Sequence, residues 1–353
     1  MVEPGRSIGA RIVRVTKRVL LFILIATVVL LSAGAIWNAA ALHHYRALAG
    51  VPGKLYQVDR RAMHMLCTGS GSPTVVLEAG LGNDSMIWAK NQPVLSKLTR
   101  VCAYDRAGFG WSESRPGVRD SNAISHELHG LLGEAGITGP IILMGHSIAG
   151  IHMRNYAATY PQGVAGIVFI DGSTPQQDKY FPASIEKKQA QFVKILFPLV
   201  EAGTVTGVLR AMGQCTQVAP GMEAYATWIK ADSCAPSQII SVEREMKAVP
   251  ASGDESVNTG PSGNIPILIF SQDPAGHDPR LGEEGGKQLS SIWNGMQENL
   301  KKLSTNSRRI IAKGSTHYVQ VDRSDLVNRE VISFIEQVRT GTVSPQNGTT
   351  TTQ

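Results

Sequence analysis

None of the four cysteines, Cys67, Cys102, Cys215 and Cys234, falls in a C-x-x-C spacing. That absence argues against a zinc site and against a thioredoxin-type redox motif. A basic face is missing too. The net charge is +6, yet residues 1–50 hold Arg6, Arg11, Arg14, Lys17, Arg18 and Arg46 against Glu3 alone, a net +5. The remainder of the chain therefore carries +1 (6 − 5), too little for a nucleic-acid-binding surface. Internal repeats are absent. Wholesale disorder is excluded by a hydrophobic share of 42% and a charged share of 18%. At 353 residues the chain can hold one large domain with an insertion, or two domains.

Charge is also missing from Val19 to Trp37, VLLFILIATVVLLSAGAIW. As a helix rising ~1.5 Å per residue this run spans roughly 28 Å, enough to cross a bilayer core. Basic residues crowd its N-terminal side, so residues 1–18 are expected to stay cytoplasmic and the rest to be translocated. A cleaved signal peptide is the alternative, because Ala33-Gly34-Ala35 resembles a small-residue cleavage site. The apolar run exceeds the ~7–15 residues usual for a signal peptide, which favours an anchor. A buried helix of a soluble domain is the third reading. An even set of cysteines agrees with export and with two disulfides, four buried thiols being the other reading.

Past a short linker, strand and helix alternate. RRAMHMLCTG, SPTVVLEAG, LTRVCAYDRAG, PIILMG and GVAGIVFIDG read as strands, with helices around SMIWAKNQPVLSKL, DSNAISHELHGLLGEAG and the segment after Ser147. The strands are continuous apolar runs, as expected where helices cover both faces of a mainly parallel sheet. Residues 173–263 then contain no convincing strand and read as helices and loops. There Phe192, Ile195, Leu196, Leu199 and Val200 recur at helical spacing, a stripe expected to pack against the main domain or, less simply, to line a substrate site. Cys215 and Cys234 both fall in this piece, so a bridge between them would staple it. The pattern resumes with NIPILIFSQD, the helix QLSSIWNGMQENLKKLS, the strand SRRIIAKG and the helix SDLVNREVISFIEQVR. The polar tail GTVSPQNGTTTTQ, at 341–353, is expected to be unstructured.

One junction can carry chemistry. In GHSIAG, Ser147 stands between a buried strand and a helix, the setting of a nucleophile elbow, usually written G-x-S-x-G. Here Ala149 takes the fifth position and the glycine follows at Gly150. The physical demand there is small volume around a strained turn, which alanine also meets. The N-terminus of the following helix favours an anion, and the Ile148 N–H is a natural oxyanion donor. A base is supplied by His317, after a strand and before the closing helix. Among the other histidines, His43 and His44 lie near the apolar run, His126 and His129 lie on a helix, and His146 and His152 belong to the elbow and its helix. His277 is the competitor. For the acid, Asp273 ends a strand and completes the order Ser, Asp, His, with Asp171 and Asp278 as alternatives.

In order, VVLEAGLGNDSMIW, CAYDRAGFGWSES, GHSIAG and GSTHYVQVD resemble segments of the α/β-hydrolase superfamily, over roughly 55–340. The resemblance implies an eight-stranded, mostly parallel sheet (55–172 and 264–340) with a helical cap at 173–263. It implies a catalytic set of Ser147, Asp273 and His317, and a second oxyanion donor at the Leu81 N–H, by position. DRAGFGWS, Asp105 to Ser112, resembles a structural turn of the family. In the family's sheet order the strands of Cys67 and Cys102 are neighbours, which favours their pairing.

The expectation is a membrane-anchored, extracytoplasmic serine hydrolase that acts on a small-molecule ester without a cofactor, metal or nucleic acid. An apolar acyl group is suggested by the Phe and Leu content of the cap. An aminopeptidase or amidase of the same fold, or a non-catalytic membrane-tethered interaction protein, are the alternatives.

Overall fold

Continuous apolar runs become strands buried on both faces. In a computed structural model, residues 8–218, 222–257, 259, 263–276, 282–341 and 348–352 are described. Nine strands form one sheet: β1 (Lys54–Val58), β2 (Arg61–Thr68), β3 (Thr74–Glu78), β4 (Val101–Tyr104), β5 (Ile141–His146), β6 (Val164–Ile170), β7 (Ile267–Ser271), β8 (Ser307–Ala312) and β9 (Thr349–Thr352). Their order is β1-β2-β4-β3-β5-β6-β7-β8-β9, antiparallel at β1/β2 and β2/β4 and parallel elsewhere. β9 is a correction: four residues of the tail expected to be unstructured pair with β8, Arg309 opposite Thr349 through Ala312 opposite Thr352.

Alternation along each strand splits the core in two. Val76, Leu143, Phe169 and Ile269 face one side, where they pack with Leu128 and Leu131 of α3 (Ser121–Glu134) and Met153 and Tyr156 of α4 (Ala149–Thr159). Leu77, Ile142, Val168 and Phe270 face the other, against Trp88, Leu95 of α2 (Gln92–Leu95) and Leu326, Val331 and Phe334. The last three lie on α12 (Ser324–Thr340), which follows the short α11 (Val319–Asp322). Each such side chain contributes about 1.5–3 kcal/mol on burial, so the two layers fix the strands in register. The chain order reverses direction at β3, between β4 and β5. Parallel sheets place ligands beyond the carboxyl ends of strands flanking such a switch, and β3 and β5 end at the glycine turn and at Ser147.

Between β6 and β7 no strand occurs among the described residues. The segment folds as α5 (Ala183–Gln191), a π-helical turn at Phe192–Leu196, α6 (Phe197–Val205), α7 (Val208–Ala211), α8 (Ala226–Asp232) and α9 (Pro236–Val257). Between β7 and β8 lies α10 (Glu283–Asn299). Both cysteine pairs are disulfides: Cys67–Cys102, directly opposed across β2 and β4, and Cys215–Cys234 within the cap.

The apolar N-terminal run is part of a longer helix, α1 (Ile8–Ala49), long and apolar enough to cross a membrane. Its last turns exceed the expected span because they are docked. Asn38, 1% exposed, donates to the carbonyls of Thr204 (3.0 Å) and Cys234 (3.2 Å). Arg46 donates to the Ala231 and Gly110 carbonyls and pairs with Asp232 at 3.3 Å. Gly50, at φ 63°, closes the helix by donating to the Arg46 carbonyl, the usual use of a C-terminal glycine.

Candidate active site

The elbow is built by small residues on both sides of Ser147. Ser147 has φ 56°, a left-handed conformation that costs an L-residue free energy and persists only where neighbours over-determine it. Its N–H donates to the Ile170 carbonyl (3.1 Å), and its own carbonyl accepts from Gly150 (2.9 Å) and Ser173 (2.8 Å). A Cβ on Gly145 would stand 2.7 Å from that of Ala149 and 2.9 Å from Met153. One on Gly150 would stand 2.7 Å from the Ser173 carbonyl oxygen. The displaced glycine is therefore required by the loop after β6, while Ala149, fully buried, fills the room that Gly145 leaves.

The structure brings Ser147 and His317 together. Ser147 Oγ–H donates to His317 Nε2 at 2.9 Å. His317 Nδ1–H donates to Asp171 Oδ2 at 2.6 Å. This corrects the expectation of Asp273. The Asp273 carboxylate is engaged by backbone instead: Oδ1 accepts from the Ala275 N–H of its own loop (2.9 Å) and Oδ2 from the Gly314 N–H of the turn after β8 (2.8 Å). Asp171 is fully buried at φ 45°, and its Oδ1 accepts from the Gln272 N–H at 3.1 Å. That bond, with the Asp171 N–H on the Phe270 carbonyl (2.7 Å), holds the side chain over the end of β7 and aims Oδ2 at the imidazole. Asp278 and His277 lie outside the described residues. The backbone of His317 is held as well: neutral His146 donates from Nε2 to the His317 carbonyl at 3.0 Å. Burial first, then the neighbouring His317, pushes the His146 pKa well below the usual histidine value, so it stays uncharged.

Facing the elbow is the turn after β3. A Cβ on Gly80 would lie 3.3 Å from Ser147 Cβ and 2.6 Å from His146 Nδ1, so the backbone of Gly80–Leu81 reaches the nucleophile only because position 80 has no side chain. The two oxyanion candidates, the N–H groups of Leu81 and Ile148, donate to no protein group among the described residues. Arg106 orients this turn from behind. Its guanidinium donates to the carbonyls of Ala79 and Gly80 (3.0 Å for Gly80) and forms a two-pronged pair with Glu245 of α9 at 2.8 and 2.9 Å. Sequence reading left this role unfound, since DRAGFGWS resembled a structural turn. Its other members do hold structure: Asp105 accepts from the Ser85 (2.7 Å) and Trp111 (3.0 Å) N–H groups.

Behind the turn is a set of buried charges that the motifs did not single out. His64 Nδ1 stands 2.7 Å from Asp105, and Nε2 faces the Pro52 carbonyl. Burial opposes a charge on His64, but Asp105 outweighs it and raises the pKa. Burial, followed by the charge of Asp105, pushes Asp84 up to about 7. Asp232 is raised as well, by burial and then by Asp84. Asp84 and Asp232 are in the wall of a cavity of about 310 Å³ between the turn after β3 and the segment between β6 and β7, beside Met86, Met222, Ile229 and Val321.

The fold defines a class. The family described as "alpha/beta hydrolase fold" matches residues 73–208. An "AB hydrolase superfamily protein" of Gibberella zeae is 23% identical over 286 residues, which is 76% of this chain and 87% of that protein. The uncharacterized protein YbdG of Bacillus subtilis is 30% identical over 165 residues, 45% of this chain, and the match spans only 50% of YbdG. Among solved structures, a thermophilic esterase from Thermogutta terrifontis superposes with a TM-score of 0.57 at 18% identity, over 81% of this chain and 98% of the esterase. The chain has the α/β-hydrolase fold, and the resemblance of its sequence to that superfamily is borne out.

Proposed function

We propose that the chain is a serine hydrolase that cleaves a carboxylic ester through an acyl-enzyme on Ser147. One observation carries the reading: a continuous hydrogen-bonded path runs from Ser147 Oγ through His317 to buried Asp171, at an elbow facing two unengaged backbone N–H groups. His317 removes the hydroxyl proton as Oγ attacks the ester carbonyl. Asp171 holds the Nδ1–H tautomer and stabilises the imidazolium. The Leu81 and Ile148 N–H groups receive the oxyanion, a contribution of roughly 3–4 kcal/mol per donor in related chemistry. The tetrahedral adduct expels the alcohol, which takes its proton from His317. Water activated by the same imidazole then releases the acid.

The substrate is a small ester whose acyl or alcohol part occupies the cavity beside the turn. Met86, Met222, Ile229 and Val321 favour an apolar portion there. Helix α1 anchors the protein in a membrane, its N-terminus on the cytoplasmic side. The two disulfides support an extracytoplasmic catalytic domain. The test is fluorophosphonate labelling of wild type and Ser147→Ala read by intact mass, followed by esters and matched amides of varied acyl length. The reading expects one adduct on wild type, none on the variant, and faster ester turnover. An unlabelled wild type or an equally labelled variant overturns the serine mechanism; faster amide turnover overturns the ester assignment.

A further inference from the structure

Three residues of the helical stripe expected to pack inward instead face out. Ile195 is 60% exposed, Leu196 47% and Leu199 64%, and Val205 (41%), Val208 (42%) and Met212 (64%) are exposed further along the same segment. From Ile195 to Met212 only Glu201 and Arg210 are charged. Arg210 is turned inward, where it donates to Asn38 Oδ1 at 2.7 Å and to the Ser233 carbonyl at 3.2 Å. So many exposed large apolar side chains in one short segment are uncommon on a soluble surface and mark contact with another phase or molecule.

Its place along α1 says which. The corner between α6 and α7 touches α1 backbone to backbone. A side chain on Gly34 would collide with the Thr206 carbonyl, and one on Gly207, at φ 75°, would collide with the Gly34 carbonyl. Gly34 is inside the uncharged run, three residues before its end at Trp37 and so about 4.5 Å along the helix axis. If Val19–Trp37 fills the hydrocarbon core, the α6–α7 corner cannot stand clear of the bilayer: it meets α1 at the depth where lipid begins. Val205 and Val208 flank that corner. Trp37, 48% exposed, is at the same level, where aromatic residues settle at membrane surfaces.

We propose that the α6–α7 face of the cap is seated in the outer boundary layer of the bilayer that α1 spans, as an apolar element lying in the interface. This rests on the reading of α1 as a membrane span. Lys194, exposed at the edge of the face, keeps its ammonium in the head-group layer while its stem covers apolar surface. The cap that walls the cavity is thereby held at the lipid surface by two elements, α1 and its own apolar face.

The test uses the full chain in phosphatidylcholine vesicles. All four native cysteines are in disulfides, so a single added cysteine can carry an environment-sensitive nitrobenzoxadiazole probe. Probes are placed by Leu199→Cys and Met212→Cys, with Phe22→Cys in the span and Lys287→Cys on α10 as references. Gel filtration in detergent and a thermal melt like those of the wild type select folded variants. The proposal expects blue-shifted emission at 199 and 212, quenched by nitroxides on lipid acyl chains and protected from aqueous iodide, as at 22 and opposite to 287. If 199 and 212 behave like 287 while 22 is lipid-quenched, the seating is wrong and the anchor stands. Protection from both quenchers at 199 and 212 means that protein, such as a second copy, covers the face and overturns a lipid contact. A probe at 22 that iodide reaches overturns the span and the seating together, and leaves the catalytic reading to its own test.

Discussion

β6 and β7 are neighbouring parallel strands, Ile170 opposite Phe270, and each runs into a loop that begins with an aspartate within three residues. Their carboxylates meet different fates. Asp171 is fully buried and faces His317 at 2.6 Å, whereas Asp273 caps the N–H groups of Ala275 and Gly314. The difference comes from the donors near each side chain. At β6 the following backbone turns away, and the nearest N–H, from Gln272, engages one oxygen and leaves the other for the imidazole. At β7 the strand's own loop takes one oxygen through Ala275, and the turn after β8 takes the other through Gly314. A carboxylate at the end of a strand becomes the partner of a base only if the local backbone leaves one oxygen unclaimed.

That contrast can be broken in several ways. Ser147→Ala or His317→Ala removes the chemistry that either aspartate could serve, and kcat on a responsive ester should fall by roughly 10⁴–10⁶-fold. Asp171→Asn leaves the geometry but favours the wrong tautomer, and kcat should fall by roughly 10³–10⁴-fold. Asp273→Asn should keep kcat within about tenfold and lower stability by about 1 kcal/mol through weakened loop caps, read by urea denaturation. Equal losses at 171 and 273 would erase the distinction.

Two smaller effects sharpen it. Gly150 gives the β6 loop its close approach to the elbow, so Gly150→Ala should cost about 1–3 kcal/mol, against about 0.5–1 for Ala149→Gly. Chemical denaturation of both variants checks the order. Asp84, half-buried beside the cavity, has neither role. Its pKa rises from 3.8 to about 7 on folding, so the folded state keeps a proton that the unfolded chain releases. Stability from this group is therefore full below about pH 4 and is lost as pH rises towards 7. Asp84→Asn, which can still cap Met86 through its carbonyl oxygen, should flatten the stability profile between pH 4 and 7.

The strands from RRAMHMLCTG onward were legible because apolar runs buried on both faces have few other uses. Ser147 and His317 could be singled out because each occupies a junction between strand and helix, and the structure brings them to 2.9 Å of each other. Chain order favoured Asp273 as the partner of His317, whereas Asp171 makes that contact, because neither order nor strand end records the Gln272, Ala275 and Gly314 donors that separate the carboxylates. Arg106 escaped notice because its partners, the Ala79 and Gly80 carbonyls, are backbone atoms with no sequence signature. The stripe at Ile195, Leu196 and Leu199 had the right period, but periodicity says that a face is apolar without saying what lies against it. The side chain of Phe192 lies outside the described ones. β1 and β9 are a short, half-exposed strand and a threonine run, neither carrying an apolar pattern.

The most direct test of the Ser147–His317–Asp171 arrangement is the rate at which a fluorophosphonate modifies Ser147 in wild type, Asp171→Asn and Asp273→Asn, followed by intact mass at fixed pH. The account predicts nearly equal rates for wild type and Asp273→Asn, and a rate lower by roughly 10³-fold or more for Asp171→Asn. A slow Asp273→Asn beside a normal Asp171→Asn would contradict it.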